Sequence, residues 1–215
     1  MRIERLVVSP LAVNCYIVGD EQADEGIIID PGDEAGRIVD AMRRLGWKAA
    51  AILNTHAHVD HIAAAQEVKE ALGARLYLHP DEAIHLPRLV EHGAMYGIYD
   101  ARVPTVDVEL SDGDRVPFGS LAVEVTLTPG HTPGHCIFAV GDDIFCGDLI
   151  FAGSIGRTDL PGGNYEAMLI SLERAVMTLP GHTRLHPGHG ESTTVSIEQR
   201  FNPFLQGLSA QQADE

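Results

Sequence analysis

The sequence has 215 residues, 45% of them hydrophobic, which is enough chain to bury a sizeable core. Its 31 acidic side chains against 15 basic ones give a net charge of −16, and no basic run occurs, which argues against a nucleic-acid backbone as partner. No apolar stretch of about 18 residues is present, so no membrane-spanning helix is expected.

The N-terminus, MRIERLVVSPLAVNCYIVGDEQ, alternates short apolar runs with charge and does not read as a signal peptide. Cys15, Cys136 and Cys146 are odd in number and lack CxxC spacing, so they read as buried thiols in a reducing cytoplasm. IERLVVS, NCYIVG and GIIIDPG read as strands, the last closing at a Pro-Gly turn. Asp33 is placed to cap a helix through Leu45, with Ile38, Met42 and Leu45 on one face and Gly46 as its stop. AAAILNTH is a buried strand, and a helix from about Ile62 to Leu72 closes at Gly73. RLYLHP is a short strand. Residues 81–100 are helical or irregular, interrupted by Pro87; they form either a lid or a connecting helix whose aromatics pack inward.

After residue 105 the pattern turns to β, with VDVEL, DRVPFG, LAVEVTLTPG, CIFAVG and DIFCGD. A long helix runs from a cap at Asn164 to about Leu179, carrying Met168, Leu169, Leu172 and Val176 at helical spacing. TRLHPGHG gives a last strand and turn. A short helix ends before Asn202-Pro203, and the tail QGLSAQQADE is expected to fray. With no linker, repeat or low-complexity tract, residues 1–215 read as a single domain. Strands followed by helices, twice over, predict two sheets inside and helices on both outer faces, a four-layer α/β sandwich.

The chemistry concentrates in THAHVDH, residues 55–61, which follows the buried AAAIL strand. His56 and His58 are two apart, so both can point at one metal ion, while Asp60 and His61 can face a second ion where the chain turns into a helix. Imidazole with carboxylate suits zinc, and also iron or manganese. Further ligands must come from elsewhere. His131, Asp148 and His189 each follow a β-run and have glycine neighbours (Gly130, Gly147, Gly188 and Gly190) that let backbone approach a crowded site. In this scheme His56, His58 and His131 hold one ion, Asp60, His61 and His189 hold another, and Asp148 bridges them. A hydroxide between two ions about 3.5–4 Å apart is then the expected nucleophile.

The set resembles the metallo-β-lactamase-fold superfamily, whose HxHxDH hallmark stands here at residues 56–61. TPGHTPGH (128–135), GRTDLPGG (156–163), HPGHG (186–190) and NPF (202–204) are similar to its glyoxalase II-like branch. The resemblance implies an αβ/βα sandwich with two mixed sheets and a site along one edge. It also implies metal ligands at His56, His58, Asp60, His61, His131, Asp148 and His189, with Asp60 and Asp148 in catalytic roles. The implied activity is hydrolysis of a hydroxyacyl-glutathione thioester. A thioester also needs little acid help, since a free thiol has a pKa near ~8.5. This chain departs from glyoxalase II proper by lacking its C-terminal helical domain after NPF. Arg157 stands where those enzymes carry a substrate-contacting lysine, and Asp159 where they carry a tyrosine. Arg157 either pairs with a substrate carboxylate or closes an internal bridge with Asp159. His135 and His186 are either hydrogen-bond partners of ligands or packed structural residues, and His79, His85, His92 and His182 read as surface or helix positions.

The expected partner is therefore a small anionic thioester, with no nucleic acid and no membrane. A persulfide dioxygenase using one iron on His56, His131 and Asp148 is the main alternative, ahead of a hydrolase of some other ester or thioester. A β-lactamase is disfavoured by the absent export signal and by His61, and a non-catalytic scaffold by the retention of all seven ligands.

Overall fold

The computed structural model describes residues 1–212. Strands β1 (Arg2–Val8), β2 (Val13–Asp20) and β3 (Glu25–Ile29) form an antiparallel meander, after which α1 (Ala35–Leu45) crosses to β4 (Lys48–Leu53). One helical turn, α2 (Val59–Ile62), and α3 (Ala65–Leu72) lead to β5 (Arg75–Leu78), and α4 (Leu89–Met95) precedes β6 (Val108–Glu109). The first sheet has the order β1-β2-β3-β4-β5-β6 and is parallel from β3 onward. The second half supplies β7 (Arg115–Phe118), β8 (Leu121–Leu127), β9 (Cys136–Val140) and β10 (Asp143–Gly147), then a two-stranded hairpin of β11 (Ile150–Phe151) and β12 (Ser154–Ile155). After α5 (Tyr165–Leu172) come β13 (Arg184–Pro187), β14 (Thr193–Thr194), α6 (Val195–Phe201) and α7 (Pro203–Gln212). The second sheet runs β14-β13-β10-β9-β8-β7, with β10 and β13 parallel and its other neighbours antiparallel.

Strand alternation sorts the apolar residues into three layers of core. On β2, Cys15 and Ile17 face the helices α1–α3, while Tyr16 and Val18 face the other sheet. On β10, Ile144 and Cys146 face α5–α7, while Phe145 points between the sheets. Phe118, Phe138 and Phe145 are fully buried in that central layer, each contributing about 1.5–3 kcal/mol of burial. Helices outside and two mixed sheets inside give the predicted αβ/βα sandwich. Among the described residues no helix is long and apolar enough to cross a membrane.

Local differences from the sequence reading have simple causes. Asp33 does not cap α1; its carboxylate accepts from the Glu34 amide, and Glu34 occupies the cap in a left-handed conformation without a side-chain bond. Gly46 and Gly73 do end their helices with positive φ. The helix expected from Ile62 is broken at Ala63–Ala64, and its first turn begins earlier, at Val59, so that Asp60 and His61 ride on helix rather than loop. Asn164 accepts from the Ala167 amide at 3.0 Å as the cap of α5, but past Leu172 the helix widens into a π-turn over Glu173–Met177. VDVEL forms only the short β6, which closes the first sheet beside β5. The tail is helical through Gln212, and the rest of the expected fraying segment lies outside the described residues.

Candidate metal centre

All seven sequence-predicted ligands converge at one edge of the sandwich. β4, β8, β10 and β13 end there, and each is followed by ligands: His56, His58, Asp60 and His61 after β4, His131 after β8, Asp148 after β10, and His189 after β13. A single β-bridge between Val13 and His189 and the Asn14 N–H to Gly188 C=O bond (2.7 Å) lock the two sheets together at this edge. The backbone is close enough that a Cβ on Gly188 would stand 2.4 Å from Asp148 Oδ1 and 2.6 Å from His61 Cε1. Gly147 (φ 47°) lies equally tight against Thr55 and His135. Gly130 serves a different contact, the close approach of Met168 on α5.

Three groups could each hold an ion, with donor atoms within 4.8 Å of one another: His56/His58/His131, Asp60/His61/His189 and His56/His61/Asp148. The Asp148 oxygens face different imidazoles, Oδ1 lying 3.4 Å from His61 Nε2 and Oδ2 3.5 Å from His131 Nε2. His189 Nε2 is 3.1 Å from Asp60 Oδ2.

Hydrogen bonds on the far side of the rings set which nitrogen is left for the cluster. His131 Nδ1 donates to the Arg157 carbonyl (2.7 Å) and His61 Nδ1 donates to Asp30 (2.9 Å). The Thr55 hydroxyl spends its proton on Asp30 (2.7 Å), so it accepts from His56 Nδ1 (3.0 Å). Each ring therefore turns a bare Nε2 inward. His56 Nε2, His61 Nε2 and Asp148 Oδ1 are buried with no hydrogen-bond partner. Leaving such atoms unpaired is expensive, and a cation satisfies all of them at once. The donor set thus fits divalent metal.

The electrostatics agree. Burial, reinforced by neighbouring imidazoles, pushes His56 well below the usual histidine range and His58 down to about 3. Burial also opposes charge on His61, yet Asp148, Asp60 and Asp30 outweigh it and hold that ring well above the usual range. The Asp148 carboxyl is raised by burial but held far below the carboxylate range by His61 and His131. The negative charge that converges on His61 is what a bound cation would relieve.

Sequence reasoning missed Asp30, which braces both His61 and Thr55 although it is almost fully buried. The available signal was a carboxylate closing the apolar run GIII, because a buried charge is rare without partners. It also missed Glu82, fully buried, whose oxygens accept from the Ala57 amide (2.7 Å) and the Gly134 amide (2.8 Å). Burial raises that carboxyl's pKa against the pull of the Thr132 hydroxyl and those amides. Of the two histidines left open, His135 bonds to the centre: its Nε2 accepts from the Asp148 amide (3.1 Å) while Nδ1 donates to Thr128 (2.9 Å). His186 is structural, bonded to Asp143 (2.7 Å) and stacked on Phe145.

A cavity of about 480 Å³ opens above the cluster, with His58, Asp60, His131 and Asp148 in its floor. Its walls include Ile84, Met95, Tyr96 and Leu160, with Arg88 and Arg157. The 81–100 segment is thus one wall of the cavity. Its aromatics do not pack inward, since Tyr96 and Tyr99 are exposed. His85 and His92 line the cavity instead of the outer surface, and the His85 ring lies 5.0 Å from that of His58. Arg157 reaches the rim and also closes the internal fork, with 2.7 and 2.8 Å bonds to Asp159.

The metallo-beta-lactamase superfamily model matches residues 8–198, and the chain belongs to that superfamily. It is 33% identical to the hydroxyacylglutathione hydrolase GloC of Haemophilus influenzae, over 97% of this chain and all of that one. Among solved structures it is similar to BLEG-1, a B3 metallo-beta-lactamase, with a TM-score of 0.86 at 33% identity, covering 96% of this chain and all of the other. It is also similar to TTHA1623 in a di-iron-bound form, with a TM-score of 0.84 at 40% identity, covering 94% of this chain and 100% of the other.

Proposed function

We propose that residues 1–215 form one domain, a cytoplasmic metal-dependent hydrolase that cleaves a thioester, and that a glutathione-type hydroxyacyl thioester is the natural class. The observation that carries this reading is the set of buried, unpartnered His56 Nε2, His61 Nε2 and Asp148 Oδ1 atoms beneath an open cavity. His56, His58 and His131 would hold one ion, Asp60, His61 and His189 a second, and Asp148 would span both through its two oxygens. Two divalent ions, zinc first and iron or manganese next, supply an acidified water and a polarising centre for a carbonyl when bound.

The remaining steps belong to the chain. Ile84, Met95, Tyr96 and Leu160 give the cavity an apolar wall beside the floor, and Arg157 at the rim offers its guanidinium to a substrate carboxylate. Asp60 and Asp148, ionised in the protein, orient the donor set around the reacting carbonyl. The departing thiolate needs little protonation, with a free-thiol pKa near ~8.5. The likeness to GloC supports the glutathione thioester. Three buried thiols support a reducing compartment.

Elemental analysis of the purified protein followed by a panel of lactoyl-glutathione, other acyl thioesters, simple esters and a β-lactam tests the proposal. Two ions per chain and fastest turnover of the glutathione thioester are expected. Preference for the β-lactam, or no thioester turnover by metal-loaded protein, overturns it. A second reading is a persulfide dioxygenase with a single iron on His56, His131 and Asp148; the likeness to a di-iron-bound protein supports iron as a metal for this fold, not the one-iron count. One iron per chain, with oxygen uptake and sulfite release from glutathione persulfide, would establish that reading in place of the hydrolase.

A further inference from the structure

The cluster is braced by two buried carboxylates that reach different parts of it. Asp30, at the end of β3, binds the Thr55 amide and hydroxyl and the His61 ring. Glu82 comes from the opposite side, in a 3₁₀ turn over Pro80–Ile84 at the base of the cavity wall. Its Oε2 accepts from the amide of Ala57, the residue between His56 and His58. Its Oε1 accepts from the amide of Gly134, three residues past His131. The fit is close, since a Cβ on Gly134 would stand 3.1 Å from Glu82 Cγ and 2.8 Å from His79 Nδ1. Among the described residues Glu82 makes no bond to Asp60, His61 or His189.

A carboxylate accepts and cannot donate, so two converging N–H groups are the partners that let it stay buried. In return it fixes the spacing between two chain segments separated by more than seventy residues. Those segments carry His56, His58 and His131, one of the three candidate ion groups.

We propose that Glu82 is a positioning residue for the His56/His58/His131 half of the centre alone, whereas Asp30 holds His61 directly and also reaches His56 through Thr55. The proposal rests on the two-ion reading above. It makes the cavity wall and one ion subsite a single mechanical unit, because the turn that carries Glu82 also carries Ile84.

Glu82→Gln tests it. The amide retains the side chain's size but presents a donor where one of the two N–H groups needs an acceptor. Equilibrium dialysis against Zn²⁺ should show the parent chain holding two ions. The variant should hold one with parental affinity and a second weakened about 10- to 100-fold, the range seen when partners of ligands are altered. Loading with Co²⁺ should remove the spectral contribution of one ion and leave the other intact. Asp30→Asn, which removes the support of His61 and, through Thr55, of His56, should weaken both ions, in contrast to Glu82→Gln. Glu82→Asp, which retains the charge on a shorter arm, should recover part of the lost affinity, and it serves in place of the Gln variant if that chain does not fold. Two ions at parental affinity in Glu82→Gln, or loss of both together, overturns the brace. A parent chain with fewer than two ions overturns the two-ion reading, and the brace falls with it.

Discussion

The floor and the rim of the cavity treat their charged groups in opposite ways. At and beneath the floor, His56 Nε2, His61 Nε2 and Asp148 Oδ1 are buried and unpartnered, although the His56, His61 and His131 rings are anchored from behind. On the rim, Arg157 and Arg88 are exposed and paired, each forked onto a carboxylate two or three residues away, Asp159 and Glu91. Buried unpaired polar atoms are costly and call for a partner such as an ion or a water, whereas solvent-exposed ion pairs are weak and easily exchanged. The floor thus suits a cation, whereas the rim keeps its guanidinium groups in exposed ion pairs.

Removing the floor should have the largest effect. Asp148→Ala should lose bound metal and cut kcat roughly 10²–10³-fold or more while the protein remains folded, because Phe118, Phe138 and Phe145 pack elsewhere. Elemental analysis, thioester turnover and circular dichroism would check it, and near-parental turnover would remove Asp148 from the bridging role. Stripping the metal with a chelator should abolish activity reversibly. It should also lower Tm by roughly 5–10 °C relative to protein in hundredfold excess of ion over Kd, since such binding contributes about 2.7 kcal/mol. A Tm that ignores the chelator would contradict a cation at the buried donors.

The rim should respond more mildly. Arg157→Ala should raise KM for an anionic thioester about three- to tenfold and leave kcat within about twofold. An unchanged KM would assign Arg157 to the Asp159 fork alone. Asp159→Ala frees the same guanidinium, so steady-state kinetics should show KM falling about twofold. Parallel rises in both variants would mean that the fork itself, and not the free arginine, shapes the rim.

Much of this contrast was legible from residue order. HxHxDH after an apolar strand, and a His or Asp beside glycine after three later β-runs, pointed to the seven floor residues the fold gathers. The braces were not legible, because Asp30 and His61 lie 31 positions apart and Glu82 and Gly134 lie 52 apart. Glu82 in PDEAIH reads as an ordinary solvent-facing acid of a turn, and only packing against the 131–135 loop buries it. His85 misled for the same reason, since its neighbours in sequence say nothing of the His58 ring beside it.

The sequence by itself determined the layer order, through strand alternation and helical spacing, and the metal-binding character of the site, through residue types that have no inexpensive alternative use beside a buried strand. The tertiary structure alone decided which nitrogen of each imidazole faces inward, which carboxylates stand behind the rings, and how the 81–100 segment walls the cavity. The physical reason is range. Backbone periodicity and local turn chemistry are written within a few residues, whereas a hydrogen bond across two sheets exists only after both have packed.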